Sequence, residues 1–89
     1  MFRLEWHRRA LDDLTAGWLS AEPEQRQEIT KAVAELERRL VRDPFDCGES
    51  RDKDRRIAFS RPVAITFEVH QRLKLVTILF VRIYRPRSR

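Results

Sequence analysis

Hydrophobic and polar residues alternate at the start of the chain. Phe2, Leu4 and Trp6 are apolar, and each is followed by a charged residue or a histidine. A period of two is typical of a β-strand with one buried face, because successive side chains of a strand point to opposite sides. The pattern therefore predicts a half-buried strand at the N-terminus.

The period changes to that of a helix at Ala10. Leu11, Leu14 and Trp18 recur at intervals of three and four residues. This spacing predicts an amphipathic helix whose three apolar side chains mostly pack on the sheet. The start is poorly marked, since His7 is a weak capping residue.

A second helical pattern begins at Pro23, because proline is tolerated in the first turn of a helix. It is expected to end before Asp43 and Pro44. Glu35 and Arg39 form a favourable pair four residues apart. The apolar stripe of this helix consists of Ile29, Ala32, Val33, Leu36 and Leu40.

Three strand patterns complete the chain. Residues 45–55 lack periodic apolar positions and are expected to form a loop, whereas residues 56–60, 63–69 and 75–84 are predicted strands. The last strand is apolar on both faces, so we place it inside the sheet beside the preceding one. The order of strand, two helices and three antiparallel strands indicates a single α+β domain over residues 1–89.

The charge is unevenly distributed over a chain with a net charge of +5. Residues 1–50 contain 8 Lys and Arg against 11 Asp and Glu, whereas residues 51–89 contain 11 against 3. A basic C-terminal half indicates a partner rich in negative charge, either a nucleic acid or an acidic protein segment.

The composition excludes several classes of protein. With 42% hydrophobic residues and clear periodicity, the chain is not disordered. Its longest mainly apolar run, residues 73–84, is interrupted by Lys74, Thr77 and Arg82 and is too short to cross a membrane. Cys47 is the single cysteine, and the two histidines offer no zinc-ligand spacing. We expect a cytoplasmic protein without metal or cofactor, in which Cys47 is an inert or reducible thiol.

Strand parity predicts a polar surface on the side of the sheet away from the helices. The residues expected to face the helices are Ile57, Phe59, Val63, Ile65, Phe67, Val69, Leu79, Val81 and Ile83. The polar side chains left for the opposite surface are Arg56, Ser60, Glu68, His70, Arg82 and Tyr84.

These side chains suit the cleavage of RNA through its own 2′-hydroxyl group. That reaction needs a group that takes the hydroxyl proton, cations near the phosphoryl oxygens, and an acid for the leaving oxygen. Arg56 and Arg82 are candidates for charge stabilisation and Tyr84 for proton transfer, with Glu68 and His70 as further proton-transfer groups. The basic residues expected to bind RNA are Arg51, Lys53, Arg55, Arg85 and Arg87.

The order and spacing of several motifs resemble the RelE/ParE toxin superfamily of bacterial toxin–antitoxin pairs. The motifs are the opening strand ending in Trp6, the run 10–14 followed by Trp18, the run 36–40 followed by Asp43-Pro44, the run 48–51, and the final run 81–85. The resemblance covers nearly the whole chain and implies a β-α-α-β-β-β fold. The positions comparable to those of RelE-type ribonucleases are Arg51, Lys53, Arg56, Arg82, Tyr84 and Arg85.

The resemblance implies a small toxin that is neutralised by a cognate antitoxin. The RelE branch of the family cleaves messenger RNA in the ribosome without metal, and the ParE branch inhibits DNA gyrase. We favour a ribosome-dependent, metal-independent messenger RNA endonuclease. Because no histidine lies beside the last strand, two alternatives stay open: a gyrase inhibitor, and a non-toxic member that only binds a partner or nucleic acid.

Overall fold

A five-stranded sheet with two helices packed on one face forms the core of the protein. The computed structural model describes residues 1–46, 49–52 and 55–84. The elements are β1 (Arg3–Trp6), α1 (Arg8–Leu19), α2 (Pro23–Arg42), β2 (Glu49–Asp52), β3 (Arg55–Ser60), β4 (Val63–His70) and β5 (Leu75–Ile83), with short 3₁₀ turns at Pro44–Asp46 and Gln71–Leu73. The predicted α+β class is confirmed, and the six predicted elements occur in the predicted order, with β2 as an additional strand.

The strands lie in the order β1-β5-β4-β3-β2. β1 pairs with β5 in parallel, and the other pairs are antiparallel. The predicted interior position of the last strand is confirmed, because β5 lies between β1 and β4. β5 is hydrogen-bonded along both of its edges, as expected for the interior strand that its apolar sequence predicts.

β2 corrects the prediction that residues 45–55 form only a loop. Its backbone pairs with β3, with an irregularity between Ser50 and Asp52. An edge strand is held by backbone hydrogen bonds along one side, so it needs no apolar periodicity that a sequence pattern would reveal. β2 was not predicted because its sequence is polar and shows no strand pattern.

The helix starts follow from local capping. His7 caps α1, since its Nδ1 accepts a hydrogen bond of 3.1 Å from the backbone nitrogen of Arg9. The helix therefore begins at Arg8, two residues before the predicted start. α2 runs from Pro23 to Arg42, as predicted.

α2 supplies most of the helical core. Ile29, Ala32, Leu36 and Leu40 are buried, and Val33 packs against them, so the predicted stripe is confirmed. Two hydrogen bonds tie the same helix to the sheet: Trp6 Nε1 donates to Glu37 Oε2 at 3.0 Å, and Arg39 Nη2 donates to the carbonyl of Phe59 at 2.7 Å. The other buried residues of this core are Ala10, Ala58, Val63, Ile65, Phe67, Val76 and Ile78.

α1 faces the sheet with smaller residues than predicted. Ala10 is fully buried, and Gly17 lies against Ile83 of β5. Of the predicted stripe, Leu14 packs against the core, whereas Leu11 is 41% and Trp18 is 37% exposed. A small side chain and a glycine let the helix backbone approach the strand closely, and this rotates the larger apolar residues toward its outer side.

The register of β3 corrects the predicted face of that strand. Arg56 pairs with Phe67, and Ala58 pairs with Ile65. Directly opposed residues of an antiparallel pair share a face, so Arg56 and Ala58 point toward the helices. Phe59 points away and is 48% exposed. Strand β3 has apolar residues at both parities, which left its orientation to the pairing with β4.

A bulge in β5 corrects the predicted role of Leu79. Thr66 pairs with Phe80 and Phe67 pairs with Ile78, which leaves Leu79 as the extra residue. The bulge changes the parity of the strand. As a result Val76 and Ile78 face the helices before it, whereas Val81 and Ile83 face them after it.

Candidate functional site

The sheet surface away from the helices is called the open face. Its side chains form rows across β3, β4 and β5, because each row consists of directly paired residues. The rows are Phe59, Ala64 and Arg82; Ile57, Thr66 and Phe80; Arg55, Glu68 and Thr77; and His70 with Leu75. This surface collects aromatic and basic side chains from all three strands.

Arg82, at one end of the open face, lies beside Tyr84, the residue that follows β5. The guanidinium carbon of Arg82 lies 5.4 Å from the centroid of the Tyr84 ring. The backbone nitrogen of Tyr84 donates to the carbonyl of Pro62 at 2.8 Å, which anchors the ring beside the β3–β4 turn. Arg82 forms no ion pair with the described residues, so its charge is available to an anion.

Arg56 lies on the opposite side of the sheet from Arg82, so its predicted face is wrong. Its Nη2 donates to the carbonyl of Phe45 at 3.0 Å, and its guanidinium carbon lies 5.9 Å from the centroid of that ring. These contacts hold the turn after α2 against β3. The catalytic role predicted for Arg56 stays a prediction.

Glu68 and His70 form a second group at the other end of the open face. Glu68 lies 3.4 Å from Arg55 Nε and 3.6 Å from His70 Nε2. Ala64 pairs with Arg82, and Glu68 is four positions further along β4. Four positions correspond to about 13 Å along a strand. One phosphate therefore cannot contact Arg82 and Glu68 together, and the predicted site residues form two separate groups. Ser60 belongs to neither group, because Ser60 pairs with Val63 on the helix side.

Phe80 of the open face and Arg9 of α1 were not among the predicted site residues. Phe80 lies between these two groups, and the guanidinium carbons of Arg9 and Arg55 lie 5.5 and 5.9 Å from its ring centroid. Phe80 is visible in the sequence as part of an apolar strand. Arg9 lies in α1 and Phe80 in β5, so no local sequence pattern links the two residues.

The predicted RNA-binding residues are only partly described. Arg55 lies on the open face. Arg51 belongs to β2, and its side chain is outside the described part of the structure. Lys53, Arg85 and Arg87 lie outside the described residues altogether, as does Cys47.

The described ranges contain neither a metal-binding cluster nor a membrane-spanning helix. No group of three His, Cys, Asp or Glu side chains in these ranges is arranged to hold a metal ion. No helix in the described part of the chain is long and apolar enough to cross a membrane.

Solved structures of toxin–antitoxin proteins resemble this one along almost its whole length. A chain of the RelBE2 complex of Mycobacterium tuberculosis aligns with a TM-score of 0.72 at 18% identity, over 94% of this chain and 98% of its own. For the ParDE system of P. aeruginosa the TM-score is 0.68 at 24% identity, over 96% and 98%. The isolated E. coli RelE toxin aligns with a TM-score of 0.64 at 15% identity, over 99% and 89%.

No protein-family model matches the sequence, and no curated protein matches it significantly. Identities of 15 to 24% with the solved structures establish the fold, and the resemblance that the sequence motifs indicate is confirmed at that level. The chain has the fold of the RelE/ParE toxin superfamily.

Proposed function

We propose that this protein is the toxin of a toxin–antitoxin pair and cleaves messenger RNA on the ribosome. The observation that carries the proposal is the pair Arg82 and Tyr84 at the end of β5, with a guanidinium 5.4 Å from a phenol ring. A cation that stabilises the phosphoryl charge and a hydroxyl that supplies a proton to the leaving oxygen are two of the groups that phosphodiester cleavage uses.

In the proposed reaction, the 2′-oxygen of the RNA attacks the neighbouring phosphorus atom. Its proton passes to water, and the bond from phosphorus to the 5′-oxygen breaks, which leaves a 2′,3′-cyclic phosphate. Arg82 stabilises the negative charge that grows on the phosphoryl oxygens. Tyr84 donates its phenolic proton to the departing 5′-oxygen and regains one from solvent.

Cleavage of messenger RNA on programmed ribosomes tests this proposal. We expect Arg82→Ala to lower the rate by about 10² to 10³, as the loss of one charge-stabilising donor does. Tyr84→Phe keeps the ring and should lower the rate by about 10² to 10⁴. Arg72→Ala, in the exposed turn after β4, is the matched control and should cleave normally. Unchanged cleavage in both variants would contradict the mechanism.

The proposed partner is an antitoxin segment that covers Tyr84. A groove of about 1190 Å³ runs between α2 and the β3–β4 turn, and Tyr84 contributes to its wall. The charged residues that line it are Glu28, Lys31, Glu35, Arg38 and Arg61, and the apolar ones include Ala32, Phe59 and Pro62. Apolar walls with charges of both signs fit an amphipathic peptide. Amide exchange in β3, β4 and β5 that is unchanged by co-expressed antitoxin would contradict this placement.

A gyrase inhibitor is the second candidate, favoured by exposed apolar side chains of α1. Leu11, Trp18 and Leu19 are 41%, 37% and 60% exposed there, and apolar side chains grouped on a surface are typical of protein interaction sites. Induced expression distinguishes the candidates. Arrest of translation with normal DNA supercoiling supports the endonuclease, whereas altered supercoiling with continued translation supports the gyrase inhibitor.

A further inference from the structure

Phe80 occupies the middle row of the open face. The residue is 37% exposed, although it lies on an interior strand. The guanidinium carbons of Arg9 and Arg55 lie 5.5 and 5.9 Å from its ring centroid. These distances are near the outer limit of about 6 Å for a cation–π contact, so neither guanidinium is stacked closely on the ring.

Arg9 reaches this ring because β1 is shorter than β5. The parallel pairing of β1 ends where Trp6 meets Ile78. α1 begins two residues after Trp6 and continues along β5. The first turn of α1 therefore lies beside the bulge at Leu79, next to Phe80. The fold thus brings a helix arginine and a strand arginine to one aromatic ring.

The charge near Phe80 is only partly neutralised. Arg55 lies 3.4 Å from Glu68, which also contacts His70. Arg9 forms no ion pair with the described residues. An exposed ring beside a free cation matches the combination of stacking platform and phosphate contact that proteins use for single-stranded nucleic acids.

We propose that Phe80 stacks against an RNA base next to the cleaved bond, with Arg9 and Arg55 on the adjoining phosphates. This inference rests on the proposed RNA substrate. Phe80 and Arg82 are two residues apart on the same face of β5, which is about 7 Å. One nucleotide of an extended strand spans such a distance, so a base on Phe80 fixes the position of the phosphate at Arg82. Phe80 is a positioning residue in this scheme.

Binding of a fluorescein-labelled single-stranded RNA of about ten nucleotides tests the proposal by anisotropy. Loss of one base stack costs about 1–3 kcal/mol, so Phe80→Leu should bind about 5- to 150-fold more weakly. Phe80→Trp should retain binding. Arg9→Gln should reduce the dependence of log affinity on log salt by about 0.7, the change expected for one phosphate contact.

An abasic RNA series identifies the stack itself. At one nucleotide, removal of the base should weaken binding by the parent protein and leave Phe80→Leu unaffected, because the stack is already lost. Phe45→Leu is the matched control: Phe45 is 45% exposed and contacts Arg56, but it lies in the turn after α2, off the open face. Phe45→Leu should bind RNA like the parent. Thermal unfolding of each variant separates weakened binding from a damaged fold.

The outcomes separate this inference from the proposed function. RNA binding that depends on Phe80 in a protein that does not cleave messenger RNA would support the inference and overturn the endonuclease. If Phe80→Leu changes neither cleavage nor RNA binding, the inference alone is overturned. The inference is also overturned if Phe80→Leu loses antitoxin binding but still binds RNA. A parent protein without measurable affinity for the RNA overturns the inference whatever the cleavage result.

Discussion

Replacing Gly17 with alanine places a methyl group between α1 and β5. An ideal Cβ at this position lies 2.4 Å from Ile83 Cδ1 and 3.5 Å from Ile83 Cγ1. Carbon atoms in contact are about 3.5–4.0 Å apart, so Cδ1 must move by about 1 Å or more while Cγ1 can stay. Since Cδ1 is the end of a flexible side chain, a rotation within Ile83 relieves the clash without moving the strand.

Two opposing terms set the stability of Gly17→Ala. The helix gains about 1 kcal/mol because alanine is the better helix former. A side chain turned away from its preferred rotamer costs about 0.5–1.5 kcal/mol. We therefore expect the free energy of unfolding to change by less than about 1 kcal/mol. In the Ile83→Val background the clashing methyl is absent, and Gly17→Ala should stabilise by about 1 kcal/mol.

Urea unfolding of the four proteins of this double-mutant cycle measures the coupling between Gly17 and Ile83. Ala16→Gly, at an exposed neighbouring position of α1, is the matched control and supplies the helix-propensity term alone. Destabilisation by more than about 2 kcal/mol in both backgrounds would refute the reasoning, because it would mean that the methyl group meets something other than the end of Ile83.

Two further predictions concern arginines that hold the fold together. The Arg26 side chain donates to the carbonyls of Trp18 and Leu19 at 2.9 and 2.7 Å, with its guanidinium carbon 4.6 Å from the Trp18 ring centroid. Arg26→Ala should lower the free energy of unfolding by about 1–3 kcal/mol, whereas the exposed control Arg8→Ala should change it by less than about 0.5 kcal/mol; equal effects would show that the α1–α2 turn does not depend on this clamp. Arg56→Ala removes the bond to the Phe45 carbonyl and should cost about 1–2 kcal/mol in thermal unfolding with the rate of RNA cleavage retained. Loss of cleavage at unchanged stability would instead support the catalytic role predicted from the sequence.

The order of elements and the α2 core could be derived from the sequence, because both depend on local periodicity. The spacing of Ile29, Leu36 and Leu40 places them on one face of a helix, whatever that helix packs against. All three are buried in the structure. The proline at position 23 marks a helix start through its own backbone geometry. The two-sided apolar pattern of β5 likewise predicts an interior strand, and β5 lies between β1 and β4.

The faces of the strands depended on pairing, which is not local. Residues of both parities in β3 include apolar side chains, so its orientation follows from the register against β4, which turns Arg56 inward. The bulge at Leu79 exchanges the two faces of β5 midway, and one extra residue in a run of apolar residues leaves no mark in the sequence.

The candidate site shows the same division. Arg82 and Tyr84 are two residues apart, so the sequence alone determined that they lie close together. In the structure the Arg82 guanidinium contacts the Tyr84 ring. The contact between Arg9 and Phe80 joins residues far apart in the chain. It exists because a short β1 lets α1 start beside the middle of β5, and a length difference between paired strands is a property of the folded sheet and not of either segment.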